Sequence, residues 1–220
     1  VRLKSLLVVL ALLAGGLAGH PVAEQSGVKA NPPDPTGLRT FHVQGNVHLI
    51  YGAGGNVAVQ IGEDGVVVVD TGEAGASGQV LAAIRQLSTK DIRWIINTHL
   101  HPDHTGGNHA ISQAGRTVNG NPAAIIAHEN VLARMTASNR PITERPLNSF
   151  FEDAKDFYFN GEAIFIYHIP NAHTDGDSLV YFRGSDVVVA GDIFVTTTYP
   201  VIDAKSGGGV QGFIDGLNKV

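Results

Sequence analysis

The sequence predicts a layered αβ fold in which two sheets pack face to face, and three observations predict it. Short β-type runs come in clusters, each cluster is followed by helix-period segments, and the boundaries between runs carry strong turn signals. The 220 residues, 27 of them Gly and 43% hydrophobic, suffice for one large domain with many tight turns. Residues 47–51, 57–61 and 66–70 read as strands separated by Gly52-Ala53-Gly54-Gly55-Asn56 and Glu63-Asp64-Gly65, both hairpin turns. Val80, Ala83, Ile84 and Leu87 keep the spacing of one buried helix face. A buried strand over 92–97 and another over 123–127 alternate with helices predicted over 106–114 and 128–137. Residues 157–159 and 163–169 flank Asn160-Gly161 as a further hairpin, and 179–182 and 187–190 supply two more strands. The segment 212–220 reads as a helix.

The composition narrows the function. Fifteen Lys and Arg against twenty Asp and Glu give a net charge of −5, with no electrostatic footprint for nucleic acid or anionic lipid. There is no cysteine, so thiol nucleophiles, Cys-ligated zinc and iron–sulfur clusters are excluded. The start, Val1-Arg2-Leu3-Lys4-Ser5, leads into twelve uncharged residues, the pattern of a signal peptide, expected over 1–23. The run is shorter than the ~20 residues of a membrane-spanning helix, so no membrane association is expected of the mature form. A Pro-rich spacer over 24–40, containing Asn31-Pro32-Pro33-Asp34-Pro35, is expected to precede a domain over 41–220. The protein is therefore expected to be exported, to the periplasm or the medium, and its partner to be a small-molecule substrate. The sequence assigns no oligomeric state.

The chemistry lies in Asn97-Thr98-His99-Leu100-His101-Pro102-Asp103-His104-Thr105-Gly106-Gly107. Three imidazoles and a carboxylate within six residues cannot enter an apolar core unpartnered. Just past the end of a buried strand they sit in a loop held by a rigid element, and their donor atoms suit zinc or a related divalent ion. His99 and His101, two apart in extended chain, project to one side, while Asp103 and His104 can face a second ion. Two further pieces accompany this segment, a polar loop holding His173 and an apolar strand delivering Asp192 at its tip; read alone, the first is an ordinary loop histidine and the second a turn or helix cap. Three other matches fail. Gly52-Ala53-Gly54 lacks the third glycine of a dinucleotide loop, Asp70-Thr71-Gly72 occurs once rather than twice, and His128-Glu129 is followed by Leu132 where a zinc-protease helix needs His. His42, His48 and His168 read as hydrogen-bonded structural residues, His109 as lying off the site, and Trp94 as core.

Together these pieces resemble the metallo-β-lactamase superfamily, from about Val47 onward. The resemblance implies a four-layer αβ/βα sandwich with a two-metal site at one edge of its sheets. It implies His99, His101 and His173 on a first metal, Asp103 and His104 on a second, and Asp192 bridging them. Asp70 matches a residue that supports the metal loop, and Asp103 would also orient or deprotonate the nucleophile. Two zinc ions are implied, with iron or manganese as alternatives, and a hydroxide between them would cleave an ester, lactone, thioester or related bond. A class B β-lactamase, a mononuclear iron oxygenase and a non-catalytic metal-binding member are the competing expectations. The family's last histidine ligand, which follows another helix and strand, has no counterpart after Asp192. The second site is thus expected to lack one ligand, and the domain to lack its last strand and helix, carried on a further ~30–60 residues.

Overall fold

The computed structural model describes residues 37–196 and 198–220; the expected leader and residues 24–36 of the expected spacer lie outside the described residues, while Arg39 and Thr40 belong to the first strand rather than to a spacer. The first strand, β1 (Arg39–Gln44), pairs antiparallel with β2 (Val47–Ala53), which pairs with β3 (Gly55–Gly62), which pairs with β4 (Gly65–Val69). The sequence reading opened the sheet at β2. The segment of β1 has no clean alternation, its Thr40 and Phe41 being buried as neighbours, and the register with β2 is what defines it. After β4 come α1 (Ser77–Leu87), β5 (Ile92–Ile96), the short α2 (Pro102–Thr105), α3 (Asn108–Ala114) and β6 (Ala124–Ile126). Strands β4, β5 and β6 run parallel and finish a six-stranded sheet in sequential order. The helix predicted over 106–114 is α3, which begins two residues later, and the short α2 precedes it as a separate turn. Pro102 opens α2 at a position where its missing N–H is no loss, and α3 starts afresh after Gly106-Gly107.

Helix α4 (Glu129–Ala137) follows, with His128 as its cap rather than its first residue. Then β7 (Ala154–Phe159), β8 (Glu162–His168), β9 (Ser178–Phe182) and β10 (Val187–Val189) form a four-stranded antiparallel sheet, before α5 (Val210–Leu217).

The layers follow from side-chain alternation. In β4 all four valines are fully buried, which a strand between two apolar layers requires. Val66 and Val68 face Val80 and Ile84 of α1 and Ile111 of α3. Val67 and Val69 face the other way, against Ile164 and Ile166 of β8 and Val180 and Phe182 of β9. Beyond the second sheet, Leu179 and Ile169 pack against Phe213 of α5. Helices, sheet, sheet, helix: the four-layer αβ/βα sandwich implied by the resemblance is present.

A polar clasp ties the two sheets at the end remote from the histidines. The buried Glu162 carboxylate accepts from Gln60 Nε2 at 2.8 Å, from the Gly184 and Ser185 amides at 2.6 and 2.8 Å, and from Ser185 Oγ at 2.8 Å. Four donors satisfy a charge that would otherwise be costly to bury.

Candidate metal centre

Parallel neighbours end on the same side of a sheet. The residues after β4 (Asp70) and after β5 (97–101) are therefore adjacent, at the carboxyl end where α/β sheets tend to place their sites. In the second sheet β8 and β10 both run antiparallel to β9, which brings the loop holding His173 and the turn holding Asp192 to one edge. The two edges meet where Ser178 N donates to Thr98 O at 2.8 Å. Close approach needs glycine: a Cβ at Gly55 would lie 2.5 Å from the Asp103 carbonyl, so the β2–β3 turn can rest on the loop only without a side chain.

The structure brings His99, His101, His104, His173 and Asp192 together. His99, His101 and His173 form one group of converging donor atoms, and His99, His104 and Asp192 a second. His101 Nδ1 lies 3.1 Å from His99 Nε2 and 2.9 Å from His173 Nε2. Asp192 faces both groups, with Oδ1 3.2 Å from His104 Nε2 and Oδ2 3.6 Å from His173 Nε2. Asp103 stands at the open side, its Oδ2 3.5 Å from His104 Nε2 and its side chain 42% exposed. It belongs to neither converging group.

Each imidazole is fixed through its other nitrogen, the arrangement expected behind metal-binding histidines. His99 Nδ1 meets Thr98 Oγ1 at 3.1 Å and His173 Nδ1 donates to the Val201 carbonyl at 2.7 Å. His104 Nδ1 meets Asp70 Oδ2 at 2.7 Å, and His101 Nε2 meets Asp203 Oδ2 at 3.1 Å. Asp70 is itself held, accepting from Thr98 N at 2.8 Å and Thr98 Oγ1 at 2.7 Å. Below it, Asn97, Asn108 and Thr71 bond one another and the His104 carbonyl, leaving the loop no slack.

The electrostatics match the donor set. Burial, then the neighbouring rings of His104, His173 and His101, hold the His99 pKa well below 6.5, so this ring is neutral at neutral pH, as a ligand must be. Burial opposes a charge on His104 as well, but Asp70 and Asp192 outweigh it and push its pKa up to about 10. Anionic groups on both sides of one ring call for a cation there, whether proton or metal. Zn–N bonds of about 2.05 Å set tetrahedral edges of roughly 3.3 Å, close to the 2.9–3.1 Å between the nitrogens of the first group. The residues fit a metal.

The remaining histidines divide. His109 is exposed on α3 and takes no part, as expected. Trp94 packs against Phe157, with ring centroids 5.4 Å apart. His42 Nε2 donates to the Gly45 carbonyl at 2.9 Å and His168 Nε2 to the Asp175 carbonyl at 2.8 Å. His48 departs from the structural reading, since its buried Nδ1 has no partner among the described residues. His128 stacks on His168 with centroids 3.5 Å apart and rings within 7° of parallel. Burial first, then His168, lowers the His128 pKa to about 4. Because the folded value lies below the unfolded 6.5, only the unfolded chain gains this proton between the two. The stability this ring contributes above pH 6.5 is expected to fall as the pH drops toward 4. Urea unfolding of the wild type and of His128→Asn at both pH values checks this, and equal slopes would refute it.

The residue that sequence reasoning missed is Asp203. It is a single carboxylate eleven positions past Asp192 with no motif around it, and only the folded loop brings it to His101.

A two-sheet sandwich with two groups of side chains on its edge that could hold metal defines a class of αβ/βα proteins. The family model of the metallo-beta-lactamase superfamily matches residues 50–219, and the chain belongs to that superfamily. Among solved structures, a metallo-beta-lactamase from Pontibacter korlensis is 14% identical, with a TM-score of 0.64 over 88% of this chain and 84% of that one. FEZ-1 metallo-beta-lactamase from Legionella gormanii is 16% identical, with a TM-score of 0.61 over 82% and 74%. A double mutant of the sec-alkyl sulfatase PisA1 is 17% identical, with a TM-score of 0.63 over 82% of this chain and 36% of that one. At these identities the likeness is one of fold. No curated protein matches.

Proposed function

We propose that the protein is a metal-dependent hydrolase of a small-molecule ester, lactone, thioester or related bond. The observation that carries this reading is Asp192, set between two groups of imidazoles so that one carboxylate faces both. His99, His101 and His173 would hold a first divalent ion and Asp103 and His104 a second, with Asp192 shared; zinc suits the nitrogen-rich set best. When bound, such ions supply Lewis acidity and lower the pKa of a coordinated water toward 7.

The chain's own residues do the rest. Asp103, exposed at the mouth of the site, is placed to orient an attacking water and accept its proton. Asp70 fixes the His104 ring and the Val201 carbonyl fixes His173, so the donor atoms need no reorganisation during reaction.

The test is a panel of small esters, lactones, thioesters, sulfate esters and β-lactams, run on zinc-loaded and EDTA-treated protein. Turnover of an ester, thioester or lactone that chelation abolishes is the expected result. Turnover of β-lactams alone would replace this reading by a class B β-lactamase. A zinc-replete protein inert on the whole panel would make it a non-catalytic metal-binding member.

A further inference from the structure

We infer that residues 201–209 form a brace for the three-histidine group, with Asp203 as its pivot, so that metal binding and the order of this segment are coupled. The inference rests on the metal reading above and adds a residue to it. Three separate contacts hold the segment to the ligand loops. The Val201 carbonyl accepts from His173 Nδ1 at 2.7 Å, Asp203 N donates to the His173 carbonyl at 2.9 Å, and Asp203 Oδ2 meets His101 Nε2 at 3.1 Å. Two more tie it to the backbone flanking His173, from Asp175 N to the Ser206 carbonyl and from Gly209 N to the Ala172 carbonyl, both 2.9 Å. The segment also packs tightly there, since a Cβ at Gly208 would collide with the His173 carbonyl.

Asp203 divides its carboxylate between two tasks. Oδ1 accepts from Lys205 N at 3.1 Å and Ser206 N at 3.2 Å, closing a single helical turn, while Oδ2 is left for His101. His101 is the one ring of the three that points Nδ1, not Nε2, at its neighbours. Its Nε2 must then carry the proton, and an acceptor at Nε2 selects that tautomer. Asp203 is thus a positioning residue: it acts through His101 and touches no reacting atom. Any ligand that pins His101 and His173 pins both ends of the brace's contacts, so ordering at one side is felt at the other.

The brace carries its own reporter. Lys205 lies exposed between Asp203 and Ser206, so trypsin can cut there once the turn opens. The experiment uses the whole chain with Co(II) as the probe, following metal uptake by the visible absorption bands and cleavage after Lys205 by mass spectrometry. Cobalt is expected to slow cleavage after Lys205 at least ~10-fold in the wild type. Asp203→Ala is expected to weaken cobalt binding ~10–100-fold, the range for removing a partner behind a ligand, and to abolish the protection. Asp203→Asn has a single acceptor oxygen, so with that oxygen kept for the turn amides its NH2 group faces His101 Nε2 and opposes the tautomer that the metal needs; cobalt binding is expected to weaken, with shifted bands and reduced protection.

The outcomes separate the two ideas. A wild type that takes up no cobalt overturns the metal reading, and this inference with it. A wild type that binds cobalt with cleavage unchanged, or an Asp203→Ala variant with wild-type affinity and protection, overturns the brace alone. An Asp203→Ala variant that has lost its fold is replaced by the Asp203→Asn comparison, where an unshifted spectrum counts against the inference.

Discussion

Alanine in place of His101 is expected to empty the three-histidine group, lowering zinc affinity there by more than the 10–100-fold typical of losing a mere supporting partner. The side chain is a donor in its own right, placed 2.9 and 3.1 Å from the other two ring nitrogens. Its truncation should leave the fold intact. The His101 side chain is 24% exposed, it packs in none of the apolar clusters, and its partner Asp203 is also reached by water. Metal content and stability should therefore separate: elemental analysis after dialysis shows about one ion fewer, while the apo-protein melts near the wild type. Asp192→Ala, removing a carboxylate that faces both groups, should cost metal at either position. A His101→Ala protein with full metal content and activity would refute the assignment of this group.

How much of this was legible in the sequence depends on whether neighbours in space were neighbours in the chain. His99, His101, Asp103 and His104 stand within six residues, and the strand before them is apolar apart from Arg93, so residue types and spacing were enough to place a metal loop. The sandwich was legible for a related reason, since the valines of β4 and the hairpin turns state their geometry locally. His173 and Asp192 had meaning only through the family order, because each follows an unremarkable strand. Asp203 had no signal: its partner is 102 residues away and its turn is a single 3-10 helical turn. The stack of His128 on His168 was hidden in the same way, since His128 read alone opened a helix and His168 lay in a strand. Strand β1 and the short α2 were missed because pairing and backbone contacts, not hydrophobic period, decide them.

Asp70 is where fold and site are joined, and replacing it should show both roles. It is 1% exposed, holds a φ of +60°, and its carboxylate meets three groups: Thr98 N, Thr98 Oγ1 and His104 Nδ1. Asp70→Ala strands the Thr98 amide, a loss of about 1–3 kcal/mol. A β-carbon without a polar head in left-handed backbone adds about 1 kcal/mol. With the His104 contact also gone, a total of about 3–5 kcal/mol is expected, measured by urea unfolding. Asp70→Asn should divide these effects. Asparagine tolerates positive φ, and its amide oxygen can still accept from the Thr98 amide, so most of the stability should survive. Its NH2 group, however, would then face His104 and donate to Nδ1, driving the ring proton to Nε2. That nitrogen points at Asp192 and Asp103, where a ligand must present a lone pair. Asp70→Asn is therefore expected to stay folded while losing ~10–100-fold in zinc affinity. Wild-type zinc binding by this folded variant would show that His104 needs no carboxylate behind it.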